Sequence, residues 1–367
     1  MMTDGSHDSL SHDSLSHDSL SHDSLSHDPP AGLVPGAAPG RAYLLWDNGN
    51  GTAALWRLDA SGTGEADRRL FGPFGGWTAR ALAVGADGRA HLLWTGRDRT
   101  ASVWSVDREG GAARHWEFGP YDGWEARALA VGPDDVLRVL WAGADGAAAL
   151  WSLREESLRE ESLREGGAPG ALDCGPFVGW SAAALAVGPD NGALLLWTRG
   201  DGAASVWRVG ADGLAQQTEY GPYQGWSAVA VAAGRDGASR LLWKRAGGYA
   251  SLWDSPAEGE APERDAAVPD DDAQTQDTRT QDTRTQDTRT QTVYGPFEGW
   301  TPAAVAPGAD GGAHLLWRRD GGGLASVWHM DGAGGVEHRE YGPYAGWVPV
   351  ALALGPEAAV SFAPRGV

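Results

Sequence analysis

Twelve aromatic residues in this chain are placed to do chemistry. They come in six pairs of the form Gly-Pro-aromatic-X-Gly-Trp: Phe74 with Trp77, Tyr121 with Trp124, Phe177 with Trp180, Tyr223 with Trp226, Phe297 with Trp300, and Tyr344 with Trp347. An exposed indole or phenyl ring stacks on the apolar face of a sugar, while nearby carboxylates take its hydroxyls. These twelve are therefore the candidate ligand-binding residues. The X position holds Gly75, Asp122, Val178, Gln224, Glu298 and Ala345, a set with nothing in common, so it is expected to be exposed. The ring position accepts Phe and Tyr alike, so it needs a ring and not a hydroxyl. A competing structural reading fits the same residues: Pro and Gly set a tight loop, and the two aromatics plug a gap between packed units.

Carboxylates recur as well. Asp87, Asp134, Asp190, Asp236 and Asp310 each follow the Gly that closes an Ala-rich run, with Glu357 in the sixth copy. An Asp at such a turn caps its own backbone. No second carboxylate recurs beside it, so a Ca²⁺ site is not expected. No Gly-x-Ser-x-Gly, no His-Glu-x-x-His and no phosphate-cradling glycine loop occurs. The sequence therefore reads as a non-enzymatic binding protein that needs no cofactor and no metal. Its expected partners are glycans, with a protein partner as the alternative.

Tryptophan is the ruler that locates the elements around these residues. Of 19 Trp, 18 fall into three classes of six, and only Trp116 is left over. One class ends the motif just described. Another ends a Leu-Leu-Trp-like run: Trp46, Trp94, Trp141, Trp197, Trp243 and Trp317. The last ends an Ala-Ser-Val-Trp-like run: Trp56, Trp104, Trp151, Trp207, Trp253 and Trp328. Motif Trp to the next Leu-Leu-Trp is 17 residues in all five complete cases. Leu-Leu-Trp to the next Trp is 10, with a single 11 between Trp317 and Trp328. Gaps this short and constant fit strands joined by tight turns. Asn50-Gly51, Asp145-Gly146, Asp201-Gly202, Gly247-Gly248 and Asp320-Gly321 supply the positive φ such turns need, and Asp98-Arg99 is the departure.

Each unit of about 47 residues thus reads as four strands, for example Ala79–Gly85, Ala90–Trp94, Ala101–Val106 and Arg114–Phe118. Four short strands per repeat of about 40–50 residues is the pattern of a propeller blade. The expected fold is an all-β, six-bladed β-propeller of four antiparallel strands per blade. The Ala-rich strand suits the crowded axis. The chain opens on a second strand (43–46) and closes on a first strand (349–355), so the last blade is expected to be a composite that closes the ring and leaves no open edge.

The repeat resembles propeller lectins of the tachylectin type and the six-bladed fungal fucose-lectin type. The likeness covers residues 43–355 and lies in short Trp-rich repeats with Gly and Asp turns. It implies a ring of blades that binds sugars at several places. No Arg or Glu recurs at a fixed repeat position as the fucose type's sugar triad requires, so no binding residue is carried over. Trp-Asp-repeat propellers match less well, because their Gly-His and Trp-Asp dipeptides are missing.

The remainder is low in complexity. Residues 1–41 form a Ser-His-Asp-Ser-Leu pentad tract and a Pro-rich linker, expected to be disordered. The propeller is expected over 42–357, with solvated insertions at 152–168 and 255–291 between third and fourth strands, and a tail at 358–367. The net charge of −20 argues against nucleic acid and against a basic membrane-surface patch. No run approaches the ~18 apolar residues of a membrane span. Cys174 stands alone, so no intrachain disulfide is possible. The N-terminal MMTDGSHDSL lacks a basic region followed by an apolar stretch, which makes the cytoplasm the default location. A monomer is expected.

Overall fold

The computed structural model describes residues 41–58, 67–106, 112–154, 170–210, 213–234, 237–255, 282–286, 289–308, 310–319 and 321–355. The pentad tract, the linker to Gly40, most of both inserted tracts, Asp236, Asp320 and everything after Gly355 lie outside the described residues.

Six antiparallel sheets follow one another along the chain. The composite blade, called blade A here, is Val348–Gly355, Arg41–Asp47, Ala53–Arg57 and Asp67–Phe71. Blade B is Trp77–Val84, Ala90–Gly96, Ala101–Val106 and Ala112–Phe118. Blade C is Trp124–Val131, Leu137–Gly143, Ala148–Leu153 and Ala171–Cys174. Blade D is Trp180–Val187, Ala193–Arg199, Ala204–Gly210 and Gly213–Tyr220. Blade E is Trp226–Ala233, Ser239–Arg245, Tyr249–Ser255 and Arg289–Tyr294. Blade F is Trp300–Pro307, Ala313–Arg319, Leu324–Met330 and Val336–Tyr341. The first strand of each blade contacts the first strands of both neighbours, so the ring is closed. Its seam is the antiparallel pairing of Arg41–Asp47 with Val348–Gly355, in which Leu44 faces Leu352.

Blade E has one strand more than expected. Asp282–Gln286 pairs antiparallel with Arg289–Tyr294, so the end of the Thr-Gln-Asp-Thr-Arg tract joins the sheet. Thr is a good strand former, and over 282–286 it alternates with other polar residues.

The core is six clusters, one at each blade-to-blade interface. The cluster between blades A and B contains Leu45 and Leu55 from one and Leu92 and Trp94 from the other. The six Leu-Leu-Trp tryptophans are the core's largest fully buried side chains, each only 1% exposed. The second strands are apolar on both faces because both faces pack on a neighbour.

Candidate functional site

The Gly-Pro-aromatic-X-Gly-Trp segment joins the outer strand of one blade to the innermost strand of the next. Both glycines of every copy sit at positive φ, from 76° to 113°, and all six Gly-Pro bonds are cis. Only glycine adopts that region without cost, which accounts for its recurrence in every copy. The motif Trp closes the loop: its backbone N–H donates to the carbonyl of the ring residue at 3.0–3.1 Å in all six.

The ring residue reaches inward. Phe74, Phe177, Tyr223, Phe297 and Tyr344 are half-buried, and Tyr121 is exposed at 39%. Each ring meets the Leu-Leu-Trp indole of the following blade edge to face, with centroids 5.3–5.5 Å apart and planes at 75–86°. It also lies 4.9–5.5 Å from the other strand Trp of that blade. The two indoles are themselves 5.0–6.0 Å apart. Six equivalent aromatic triads result, edge-on between the ring and the Leu-Leu-Trp indole, an arrangement that ring quadrupoles favour, and tilted at 41–48° between the two indoles. These rings have a packing role whatever else they do.

The motif tryptophans are different. All six are half-buried at the start of the innermost strand, and the X residues beside them are all exposed, Val178 at 93%. In blades D, E and F a guanidinium covers the indole: Arg199 is 4.9 Å from the centroid of Trp180, Arg245 is 5.0 Å from Trp226, and Arg319 is 6.0 Å from Trp300. Each pair is directly opposite in the strand ladder. In blades B and C the opposite residues are Gly96 and Gly143. Among the described residues no guanidinium lies over Trp77, Trp124 or Trp347. The six positions are therefore chemically unequal, and the expectation that no Arg recurs at a fixed repeat position is corrected: Arg stands two residues after the Leu-Leu-Trp indole in three blades, at Arg199, Arg245 and Arg319.

The loops share their face with the hairpins between second and third strands. The ring residues Phe74, Phe177, Tyr223, Phe297 and Tyr344 donate backbone N–H groups to Gly51, Gly146, Gly202, Gly248 and Gly323 at 2.8–3.2 Å. With one extra residue between Trp317 and Trp328, this role falls on Gly323 and not on Gly321 of the expected Asp320-Gly321 turn. An open recess lies on this face between one hairpin and the next loop, lined by Asp201, Gly202, Pro222, Gln224, Trp226 and Ser227.

The turn carboxylates are occupied by their own backbone. Asp87, Asp134, Asp190 and Asp310 accept the N–H two residues on, at 2.8–3.2 Å. Asp98, Asp145 and Asp201 do the same in the hairpins. Burial pushes the Asp134 carboxyl up, but hydrogen bonds from Arg138 and the Val136 N–H outweigh it and hold the group below the usual carboxylate range. Among the described residues no three His, Cys, Asp or Glu side chains gather in a metal-binding group.

One further recurring pair escapes a motif reading. The indole N–H groups of Trp104, Trp207, Trp253 and Trp328 donate to Ser102, Ser205, Ser251 and Ser326 at 2.8–3.0 Å. The Ala-Ser-x-Trp spacing is the signal: strand residues two apart share a face.

No protein-family model matches the chain, and no curated protein resembles it in sequence. Solved structures are similar to it. A protein of unknown function from Bacteroides caccae is similar at TM-score 0.53 and 12% identity, over 86% of this chain and 98% of that one. The SapL1 lectin in complex with alpha methyl fucoside is similar at TM-score 0.46 and 10% identity, over 83% and 97%. The PQQ-bound aldose sugar dehydrogenase from Streptomyces coelicolor is similar at TM-score 0.43 and 15% identity, over 73% and 82%. At these identities the likeness concerns the architecture alone. The chain is a six-bladed β-propeller.

Proposed function

We propose that the propeller is a non-catalytic carbohydrate-binding protein whose Gly-Pro face presents its tryptophans to glycans. The supporting observation is the motif tryptophan. A large indole stands half-buried at one face of every blade, with its loop pinned by backbone hydrogen bonds and flanked by exposed X residues. Such a ring is held rigidly, so stacking on a sugar orders little that is not already ordered. The open indoles Trp77, Trp124 and Trp347 are the primary stacking platforms. Trp180, Trp226 and Trp300 offer a ring already shared with Arg199, Arg245 or Arg319. Several weak sites on one rigid face gain avidity on a polyvalent surface.

A glycan array probed with the full chain, followed by titration of free sugars, tests this. Binding is expected, and a Trp77→Ala, Trp124→Ala, Trp347→Ala triple variant that keeps its melting temperature within a few degrees is expected to lose most of it. An array blank across all glycans, or a triple variant that binds as the parent does, would sink the reading.

A further inference from the structure

Every innermost strand carries a β-bulge at the same place, where one residue drops out of the ladder. A bulge leaves its residue unpaired and re-aims the side chain. The bulged residues are Val350, Arg80, Arg127, Ala183, Val229 and Ala303 in blades A to F. Four are small and apolar, as the crowded axis requires. Two are arginines, on neighbouring blades.

Both arginines are held yet reachable. Arg80 Nε donates to Thr95 Oγ1 at 3.1 Å. The Glu125 carboxylate, from blade C, lies 3.0 Å from Arg127 Nη2 and 3.9 Å from Arg80 Nη2. The two side chains remain 50% and 48% exposed. Two guanidiniums against one carboxylate leave one net positive charge near the axis of a chain whose net charge is −20. At the same end of the first strands, the residue after the motif Trp is Thr78, Ser181, Ser227 or Thr301 in four blades, all half or fully exposed. Blades B and C are also those in which the motif Trp faces a glycine across the ladder.

We propose that Arg80 and Arg127 form a carboxylate site at the axial mouth of the Gly-Pro face, and that its ligand is an acidic sugar of the hexuronate class. This rests on the reading of that face as carbohydrate-binding. A guanidinium presents a planar fork that matches a carboxylate. The single surplus charge suits a monoanion, whereas a phosphate dianion would leave the site net negative beside Glu125. The Thr and Ser hydroxyls at this end of the first strands suit the sugar's own hydroxyls.

Titration of the full chain at low salt with glucuronate, glucose and glucose 6-phosphate tests the site. Glucuronate is expected to bind about tenfold more tightly than glucose, with glucose 6-phosphate weaker than glucuronate. Arg80→Ala with Arg127→Ala is expected to abolish the difference while leaving glucose binding unchanged. Arg80→Lys with Arg127→Lys, which keeps charge but loses the fork, is expected to retain part of it. Glu125→Gln removes the competing internal negative charge and is expected to strengthen glucuronate binding severalfold. Equal binding of glucuronate and glucose overturns this site and leaves the stacking reading standing. Absence of binding by all three sugars overturns this site, and the stacking reading then stands or falls on the glycan array. A preference that survives in the double alanine variant, or a phosphate preference, also overturns the site.

Discussion

The backbone N–H of Phe297 donates to the carbonyl of Gly248 at 3.0 Å, and a Cβ on Gly248 would collide with the Phe297 carbonyl oxygen. The hairpin of blade E and the loop leaving it thus lock together only because Gly248, at φ 76°, carries no side chain. Gly248→Ala is expected to cost about 2–3 kcal/mol, from the left-handed backbone and the displaced hydrogen bond. Blade B shows the natural counterpart. Arg99 stands at the same hairpin position with φ 72°, and Tyr121 in its exit loop is the exposed member of the ring residues. Arg99→Gly is therefore expected to stabilise the chain by up to about 1 kcal/mol. Urea denaturation of the two variants reads both effects; a neutral Gly248→Ala would refute the lock.

The architecture was legible because tryptophan spacing is set by turn length and strand length, and both repeat. The 17-residue and 10-residue gaps locate the strands, and the split first blade follows from counting classes. What the spacing conceals is anything common to all six copies. The bulge at Arg80 occurs in every blade, so it leaves every gap equal. The cover of Arg199 over Trp180 depends on cross-strand register, which is fixed only once the bulge is known. The strand Asp282–Gln286 lies in a tract without apolar alternation, so only its threonines hinted at β structure. The motif aromatics were legible as a repeated set of candidates; the division of their indoles into open and covered was not.

The serine two residues before a strand tryptophan supplies the acceptor for its indole N–H. Ser205 accepts from Trp207 at 3.0 Å, and Trp207 is 8% exposed. Ser205→Ala strands a buried donor and is expected to cost about 1–2 kcal/mol. Ser102→Ala is expected to cost less, because Trp104 is half-buried and water replaces the lost acceptor. Blades A and C carry Ala54 and Ala149 at the corresponding position. Ala54→Ser is expected to add stability, since Trp56 is likewise 8% exposed. Chemical denaturation midpoints of the three variants give the order, and equal losses in Ser205→Ala and Ser102→Ala would contradict the account.

Arg245 lies between two rings, 5.0 Å from the Trp226 centroid and 4.3 Å from that of Tyr249. Its removal opens one face of Trp226 without touching the aromatic triad below. Arg245→Ala is expected to cost about 1 kcal/mol in lost cation–π contact. Acrylamide quenching of tryptophan fluorescence should rise, because a covered indole becomes open. If sugars stack on open indoles, the same variant gains affinity for neutral sugars. Unchanged quenching would show that the guanidinium does not cover the ring in solution.

His91 gives the fold a defined response to acid. It occupies the place in blade B that Leu194 holds in blade D, three residues before the Leu-Leu-Trp indole, and it is 5% exposed. Burial pushes its pKa down from 6.5 to about 4, with Asp87 raising and Arg89 lowering it to lesser extents. The unfolded chain protonates this group near its ordinary value, and the folded chain resists until about pH 4. Above pH 6.5 the group is neutral in both states and has no linkage effect. As pH falls from 6.5 to about 4, only the unfolded state gains the proton, so stability declines, by about 3 kcal/mol over the window. His91→Leu removes this contribution. Denaturation midpoints measured from pH 7 down to pH 4 should fall less steeply in His91→Leu than in the parent chain. Parallel curves would show that His91 is protonated in the folded state and that its burial in the blade does not exclude the charge.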